Sequence, residues 1–301
     1  MTGPVDAPPP PQVDPTALTE IASDVWVIGD RRVPLVPNIG IILGQSAALV
    51  VDTGMGPANG ATVLAAARQL AGRRLLILTL THFHPEHGFG AQVFKGAARI
   101  HYNAAQRDEL ALKGAGYLGM FRTFGPGVAA ALEGTVLVAP DDVYDGASTS
   151  IDLGGRSVEL RTYGLAHTRG DQTVWVPDAG VLFTGDLAEE RIFPIFPWFP
   201  PDDADLDAAN WANVLVQLAA LKPAKVVPGH GAVCGVEVLD AVRSYILDLG
   251  QQVAQRRKAG ESAEQIIAGL GPTIRAAHPD WDAPEWIDFA IRYFAAQTKG
   301  A

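Results

Sequence analysis

The stretch Leu75-Leu76-Ile77-Leu78-Thr79-Leu80-Thr81-His82-Phe83-His84-Pro85-Glu86-His87 decides both the fold class and the chemistry. Its first seven residues form an apolar run that reads as a buried strand. The next six carry three histidines and a carboxylate, so the cluster lies where a strand ends and a loop opens towards solvent. Neutral imidazoles and carboxylates are the ligand types that zinc and similar divalent ions take, typically at about 2.0–2.2 Å. One isolated histidine is usually a satisfied core or surface residue. Three with an acid in six residues at a strand end form a metal-site pattern.

Two more histidines end comparable segments: His167 in Gly164-Leu165-Ala166-His167-Thr168, and His230 in Val226-Val227-Pro228-Gly229-His230-Gly231. Upstream, extended segments are expected at Asp24–Ile28, Asn38–Leu43 and Ala47–Asp52, and a short Ala-rich helix at Ala61–Leu70. A short helix on Gly90–Phe94 and a strand at Arg99–Tyr102 follow the histidine cluster. Downstream, Ser157–Tyr163 leads to His167, and Thr173–Val176 with Val181–Thr184 frames a hairpin turn at Pro177-Asp178-Ala179-Gly180. Asp52 and Asp186 are each placed at a strand end. Leu206–Leu221 is an amphipathic helix stopped by Lys222-Pro223, and Lys225–Val227 is the last strand. Such alternation implies an α/β layered fold with helices outside. Helical spacing returns from Val238 to Lys258, and a last helix enters at Asp282-Ala283-Pro284-Glu285. Its Trp286, Phe289, Tyr293 and Phe294 exceed one apolar face, so it is expected to pack on the domain or on a second copy in a homodimer.

Of 301 residues, 48% are hydrophobic and 19% charged, enough to bury a sizeable core. A net charge of −10 argues against nucleic acid, whose binding needs clustered Lys and Arg. Anionic substrates stay open, because a bound metal can dominate the local field. Cys234 is the only cysteine, so no internal disulfide forms, and a small buried residue is expected there. Residues up to about Leu18 contain Pro8-Pro9-Pro10-Pro11 and no Lys or Arg, and read as a flexible tail without a secretory signal. With no run near the ~18 apolar residues of a membrane span, a cytoplasmic protein with no membrane partner is expected.

Five pieces in order resemble the metallo-β-lactamase superfamily of hydrolases. They are Val-Asp-Thr-Gly with Asp52; Thr-His-Phe-His-Pro-Glu-His with His82, His84, Glu86 and His87; Ala-His-Thr-Arg-Gly-Asp with His167; Leu-Phe-Thr-Gly-Asp-Leu with Asp186; and Val-Pro-Gly-His-Gly with His230. The resemblance implies an αββα four-layer sandwich with a C-terminal helical extension. The domains expected are a tail over 1–20, a catalytic domain over 21–235 and the extension over 236–301. It implies two divalent ions, zinc first, with iron or manganese as alternatives. His82, His84 and His167 would hold one; Glu86, His87 and His230 would hold the other; Asp186 would bridge them. Asp52 resembles the acid that orients a ligand histidine through its other ring nitrogen. The family usually has Asp where this chain has Glu86, which leaves the second ion less secure than the first. Asp186, rather than Cys or Ser, resembles the glyoxalase II and lactonase branches.

The activity implied is hydrolysis, with a hydroxide shared by two metals attacking an ester, lactone, thioester or β-lactam-like carbonyl. Asp52, Glu86 and Asp186 are the candidate catalytic acids. The alternatives are a mononuclear iron oxidoreductase of the sulfur-dioxygenase kind and a phosphodiesterase, the latter disfavoured because no basic cluster marks a phosphate pocket. Two apolar segments, a glycine-rich stretch over 114–134 and Ile192–Pro201, read as loops that either cover the core or wall a pocket. On the second reading, Tyr117, Phe121, Phe193, Phe196 and Trp198 contact a small-molecule substrate bearing an apolar group.

Overall fold

The computed structural model describes residues 9–197 and 205–297. The chain opens with a 3-10 turn at Pro15–Ala17, then β1 (Leu18–Ala22), β2 (Val25–Ile28), β3 (Ile39–Leu43), β4 (Ala47–Val51), α1 (Gly56–Ala71) and β5 (Leu75–Thr79). The one-turn helix α2 (Pro85–Gly88) follows, then a 3-10 turn at Ala91–Phe94, β6 (Arg99–Asn103), α3 (Ala104–Phe121), α4 (Pro126–Ala131) and β7 (Asp142–Tyr144). Next come β8 (Ser148–Asp152), β9 (Ser157–Thr162), β10 (Gln172–Val176), β11 (Val181–Gly185), α5 (Ala208–Ala220) and β12 (Lys225–Pro228). The chain finishes with α6 (Glu237–Lys258), α7 (Ala263–Ala277) and α8 (Trp286–Gln297).

Strands β1 to β7 form one sheet in sequence order, and β12-β11-β10-β9-β8 form the other. The period of two along each strand sorts side chains into three cores. Val25, Val27, Leu49 and Val51 point to the core between the sheets, where they meet Val158, Leu160, Val174, Phe183 and Val227. Ile39, Ile41, Ala48 and Val50 turn to the opposite face and pack on α1 and α3 through Val63, Leu64, Leu110 and Tyr117. On the far side of the second sheet, Leu182 and Val226 pack against Trp211 and Leu215 of α5 and Leu239, Val242 and Ile246 of α6. The layers are therefore helix, sheet, sheet, helix, and the C-terminal helices thicken the last one.

Parallel pairing fixes where the chemistry lies. β4 runs parallel to β5, and β11 to β12, so Asp52, His82, Asp186 and His230 leave their strands at ends with a common direction. Ligands of open α/β sheets bind in such crevices beyond the carboxyl ends of strands.

Three features depart from the sequence reading. The segment from Pro11 to residue 20 is built in, not part of a free tail: β1 pairs antiparallel with β2, Val13 is buried, and the Asn59 side chain bonds the backbone of Pro11 and Val13. β1 is an edge strand with no fully buried residue, so periodicity does not reveal it. The stretch over 114–134 is largely helical. It continues α3 to Phe121 and then forms α4, because Asn103 caps α3 by accepting from the Gln106 amide, and Gly114 gives way to Leu137. Last, α7 is a helix of the expected C-terminal extension whose bounds the sequence reading did not give, started by a reciprocal capping box between Ser262 and Gln265.

One close approach ties α1 to the histidine segment. A Cβ on Gly60 would lie 2.3 Å from the Gly90 carbonyl oxygen, two residues beyond α2. Helix propensity alone favours Gly→Ala by about 1 kcal/mol, but a backbone collision of this depth outweighs it. Gly60→Ala should therefore lower stability by about 2 kcal/mol. Gly116→Ala, on an open face of α3, should raise it by up to about 1 kcal/mol. Urea denaturation of both variants checks the opposite signs.

Candidate metal centre

The hexapeptide His82–His87 is held by its own backbone. Pro85 occupies the first turn of α2, and the amides of His87 and Gly88 both donate to the His84 carbonyl. This tight turn throws His82, His84, Glu86 and His87 to one side, and all four are buried. Asp52 follows β4 with φ 68°, a left-handed conformation uncommon for a residue with a Cβ. Its Oδ1 accepts from the Thr81 amide at 2.7 Å, and its Oδ2 lies 2.9 Å from both Thr81 Oγ1 and His87 Nδ1. His87 thus donates Nδ1–H to Asp52 and turns Nε2 towards Asp186 Oδ1, 3.2 Å away.

Two further imidazoles are aimed the same way. His230 donates from Nδ1 to the Val36 carbonyl at 2.9 Å, leaving Nε2 3.8 Å from Asp186 Oδ1. His82 is anchored by Thr81 Oγ1 at 3.1 Å, leaving Nε2 3.6 Å from Asp186 Oδ2. His84 stacks on Tyr117 with centroids 5.2 Å apart, and His167 packs against Trp211 at 5.4 Å. Asp186 follows the left-handed Gly185, and a Cβ on Gly229 would fall 1.9 Å from its Oδ1. The glycine before His230 is therefore what admits this carboxylate.

These side chains form two groups that share Asp186: His82, His84, His167 and Asp186, and Glu86, His87, Asp186 and His230. In each group the ligand atoms lie within 4.8 Å of one another. His82 Nε2, His87 Nε2, Glu86 Oε2 and both oxygens of Asp186 are buried without a hydrogen-bond partner of ordinary geometry. Buried polar atoms are normally satisfied, so a convergent set left unsatisfied fits bound divalent cations. All seven residues that the sequence reading assigns to metal fall in these two groups.

Electrostatics of the bare site follow from burial. Burial holds the His82 and His84 pKa values well below the ordinary imidazole value, helped by neighbouring imidazoles, and lowers that of His167 to about 4. Burial alone would also lower His87, but Asp186 and Asp52 outweigh it and hold its proton above the usual range. Burial pushes the Glu86 carboxyl up. Three neutral imidazoles are ready to bind a cation as they stand, whereas His87 must release a proton first.

A cavity of about 890 Å³ opens from the cluster, with His84, Glu86 and His230 at its inner end. Tyr117, Phe121 and Phe124 wall one side, and Trp286 and Phe289 of α8 wall another. Of the aromatic residues assigned to substrate, Tyr117 and Phe121 line this cavity. Phe193 and Phe196 do not line it and are buried: Phe193 packs on Tyr245 and Trp281, and Phe196 on Trp211, Tyr293 and Phe294, while Phe196 also borders a second, much smaller pocket beside His84 and His167. The C-terminal helices present enough aromatic surface to draw both rings inward. Trp198 lies outside the described residues. Cys234 belongs to neither group, and burial raises its thiol pKa to about 12.

Glu189 is a site residue that the sequence reading missed. It is 2% exposed, and neither carboxylate oxygen has a hydrogen bond of ordinary geometry. It borders the cavity beside Glu86 and His230. The available signal was an acid three residues after Asp186, behind the apolar pair Leu187-Ala188.

A model of the metallo-beta-lactamase superfamily matches residues 32–230. Among solved structures, the DIM-1 metallo-β-lactamase superposes with a TM-score of 0.61 at 14% identity, covering 79% of this chain and 98% of that one. The metallo-β-lactamase from Pontibacter korlensis gives a TM-score of 0.59 at 18% identity, over 76% of this chain and 98% of its own. The sec-alkylsulfatase Pisa1 from Pseudomonas sp. gives 0.71 at 16% identity, over 94% of this chain but only 50% of its own length. At these identities the likeness is one of fold.

The proton on His87 gives a direct check. In metal-free protein at rising pH, NMR should show the His167 ring titrating near 4 and the His87 ring above the ordinary 6.5. Asp52→Asn removes one of the two carboxylates that hold the proton, so the His87 midpoint should fall. An unmoved midpoint would contradict the Asp52–His87 pairing.

Proposed function

The chain belongs to the metallo-β-lactamase superfamily, and we propose that it is a dinuclear, metal-dependent hydrolase of carbonyl substrates. The observation that carries this reading is the pair of residue groups that share Asp186. His82, His84 and His167 would hold one ion, and Glu86, His87 and His230 the other, with Asp186 shared by both groups. Divalent ions held there would supply an activated water and polarise a substrate carbonyl. Imidazole and carboxylate donors suit zinc, and also iron or manganese.

The chain's own residues divide the remaining work. Asp52 is a positioning residue: it fixes the His87 ring through Nδ1 and does not face the cavity cluster. Val36 does the same for His230 through its carbonyl. The aromatic walls exclude water and bind the apolar part of the substrate. A soluble, cytoplasmic enzyme acting on an ester, lactone or thioester is the form we favour. No described helix is long and apolar enough to cross a membrane. The glyoxalase II and lactonase likeness is supported by Asp186 standing between the two groups.

Metal analysis and turnover test the ligand roles together. His84→Ala should abolish hydrolysis and lose bound metal, since it deletes a donor without supplying another. Glu86→Gln replaces an anion with a weaker neutral donor and should reduce content from two ions towards one. Glu86→Asp should keep most of that occupancy. Two tightly held ions in the Gln variant would remove Glu86 from the ligand set.

The walls make a separate prediction. In a homologous series of acyl esters, each added CH₂ should lower KM by roughly 0.8 kcal/mol while it stays inside the cavity. Phe121→Ala with Trp286→Ala should flatten that slope and leave the metal content intact. A flat series in the unmodified protein would show that these rings only cover the core.

A further inference from the structure

Glu189 has no part in the two groups that could hold metal, yet it is buried as deeply as they are. Its chain neighbours Leu187 and Ala188 are core residues. The backbone amide of Ile195 lies near the Glu189 carboxylate but is too poorly placed for an ordinary hydrogen bond. An uncompensated buried carboxylate is strongly unfavourable and is normally paired with a cation or a donor. Glu189 has neither within the protein, and it borders the cavity that receives the substrate.

The rest of the cavity wall has the same sign. Asp30, Glu86, Asp282 and Glu285 also line it, against a single guanidinium, Arg32. That guanidinium is already bound to Glu190 and Asp282, at 2.6 Å each. Away from the metal groups, whose ions would themselves attract an anion, an anionic group on this wall meets carboxylates and a guanidinium that is already paired. A positively charged group meets Glu189 in a cavity that Tyr117, Phe121, Trp286 and Phe289 also line. Aromatic faces attract both hydrocarbon and cations.

We propose that Glu189 is a specificity-determining residue that pairs with an ammonium group of the substrate, so that the enzyme acts on apolar, amine-bearing carbonyl compounds. This rests on the hydrolase reading for the word substrate only, since recognition is measurable as binding without turnover.

The test uses two non-hydrolysable probes of one shape, phenylbutylammonium and phenylbutanol, titrated calorimetrically into the metal-loaded full chain. A charge-assisted hydrogen bond is stronger than a neutral one, so the ammonium should bind about tenfold tighter than the alcohol. In Glu189→Gln the ammonium preference should vanish, with affinity for the alcohol and metal content unchanged. Glu189→Asp should retain part of the preference. Equal binding of ammonium and alcohol in the unmodified protein, or no binding of either probe, overturns the proposal. So does a preference that survives Glu189→Gln, or loss of metal in that variant, which would make Glu189 a ligand. Probes that bind as expected to a protein that hydrolyses nothing would sink the hydrolase reading alone.

Discussion

Asp186 is a carboxylate taken out of water with no ordinary hydrogen bond to either oxygen, and the rest of the site is arranged around that fact. Burial opposes its charge, but the imidazoles of His87, His230 and His82 outweigh burial and hold its pKa well below the ordinary carboxylate range. Those imidazoles face it only because their far nitrogens are tied elsewhere, to Asp52, to the Val36 carbonyl and to Thr81. Such ties at the far nitrogen fix ring orientation and tautomer. The left-handed Gly185 and the bare Cα of Gly229 give the carboxylate its room.

The fold exists, in this sense, to bring two sheets' strand ends to one place. The first sheet delivers Asp52 and the His82–His87 turn, and the second delivers His167, Asp186 and His230. The core between the sheets holds them in register, so a disturbance at Phe183 reaches the site through packing, and one at Gly60 reaches it through Gly90, without touching a donor atom. The C-terminal helices add a different element. They leave the donor groups alone and close the cavity with Trp286 and Phe289, while Arg32 ties the entrance to Glu190 and Asp282.

The metal groups were legible in the sequence because donors at strand ends are a local pattern: three histidines in six residues after an apolar run. The strands β2 to β6, the β10–β11 hairpin and α5 were legible for the same reason, being periodic and bounded by turn residues. What escaped was defined by partners far along the chain. β1 shows no buried face and is fixed by pairing with β2. The half of α3 that carries Gly114, Gly116 and Gly119 looks like a loop by composition, and its helix is set by the Asn103 cap and by packing of Tyr117 and Phe121. Phe193 and Phe196 look like pocket residues until α6 and α8 are in place to bury them. Glu189 escaped because an acid followed by Glu190 and Arg191 reads as a solvated turn; its burial and its missing partners are what mark it.

The central claim is that Asp186 stands between two cations. Anomalous diffraction from crystals of the protein as purified, collected at the zinc, iron and manganese edges, tests it most directly. The account predicts two peaks flanking Asp186, about 3.5–4 Å apart, one against His82, His84 and His167 and the other against Glu86, His87 and His230. A single peak, or two that leave Asp186 to one side, would contradict it.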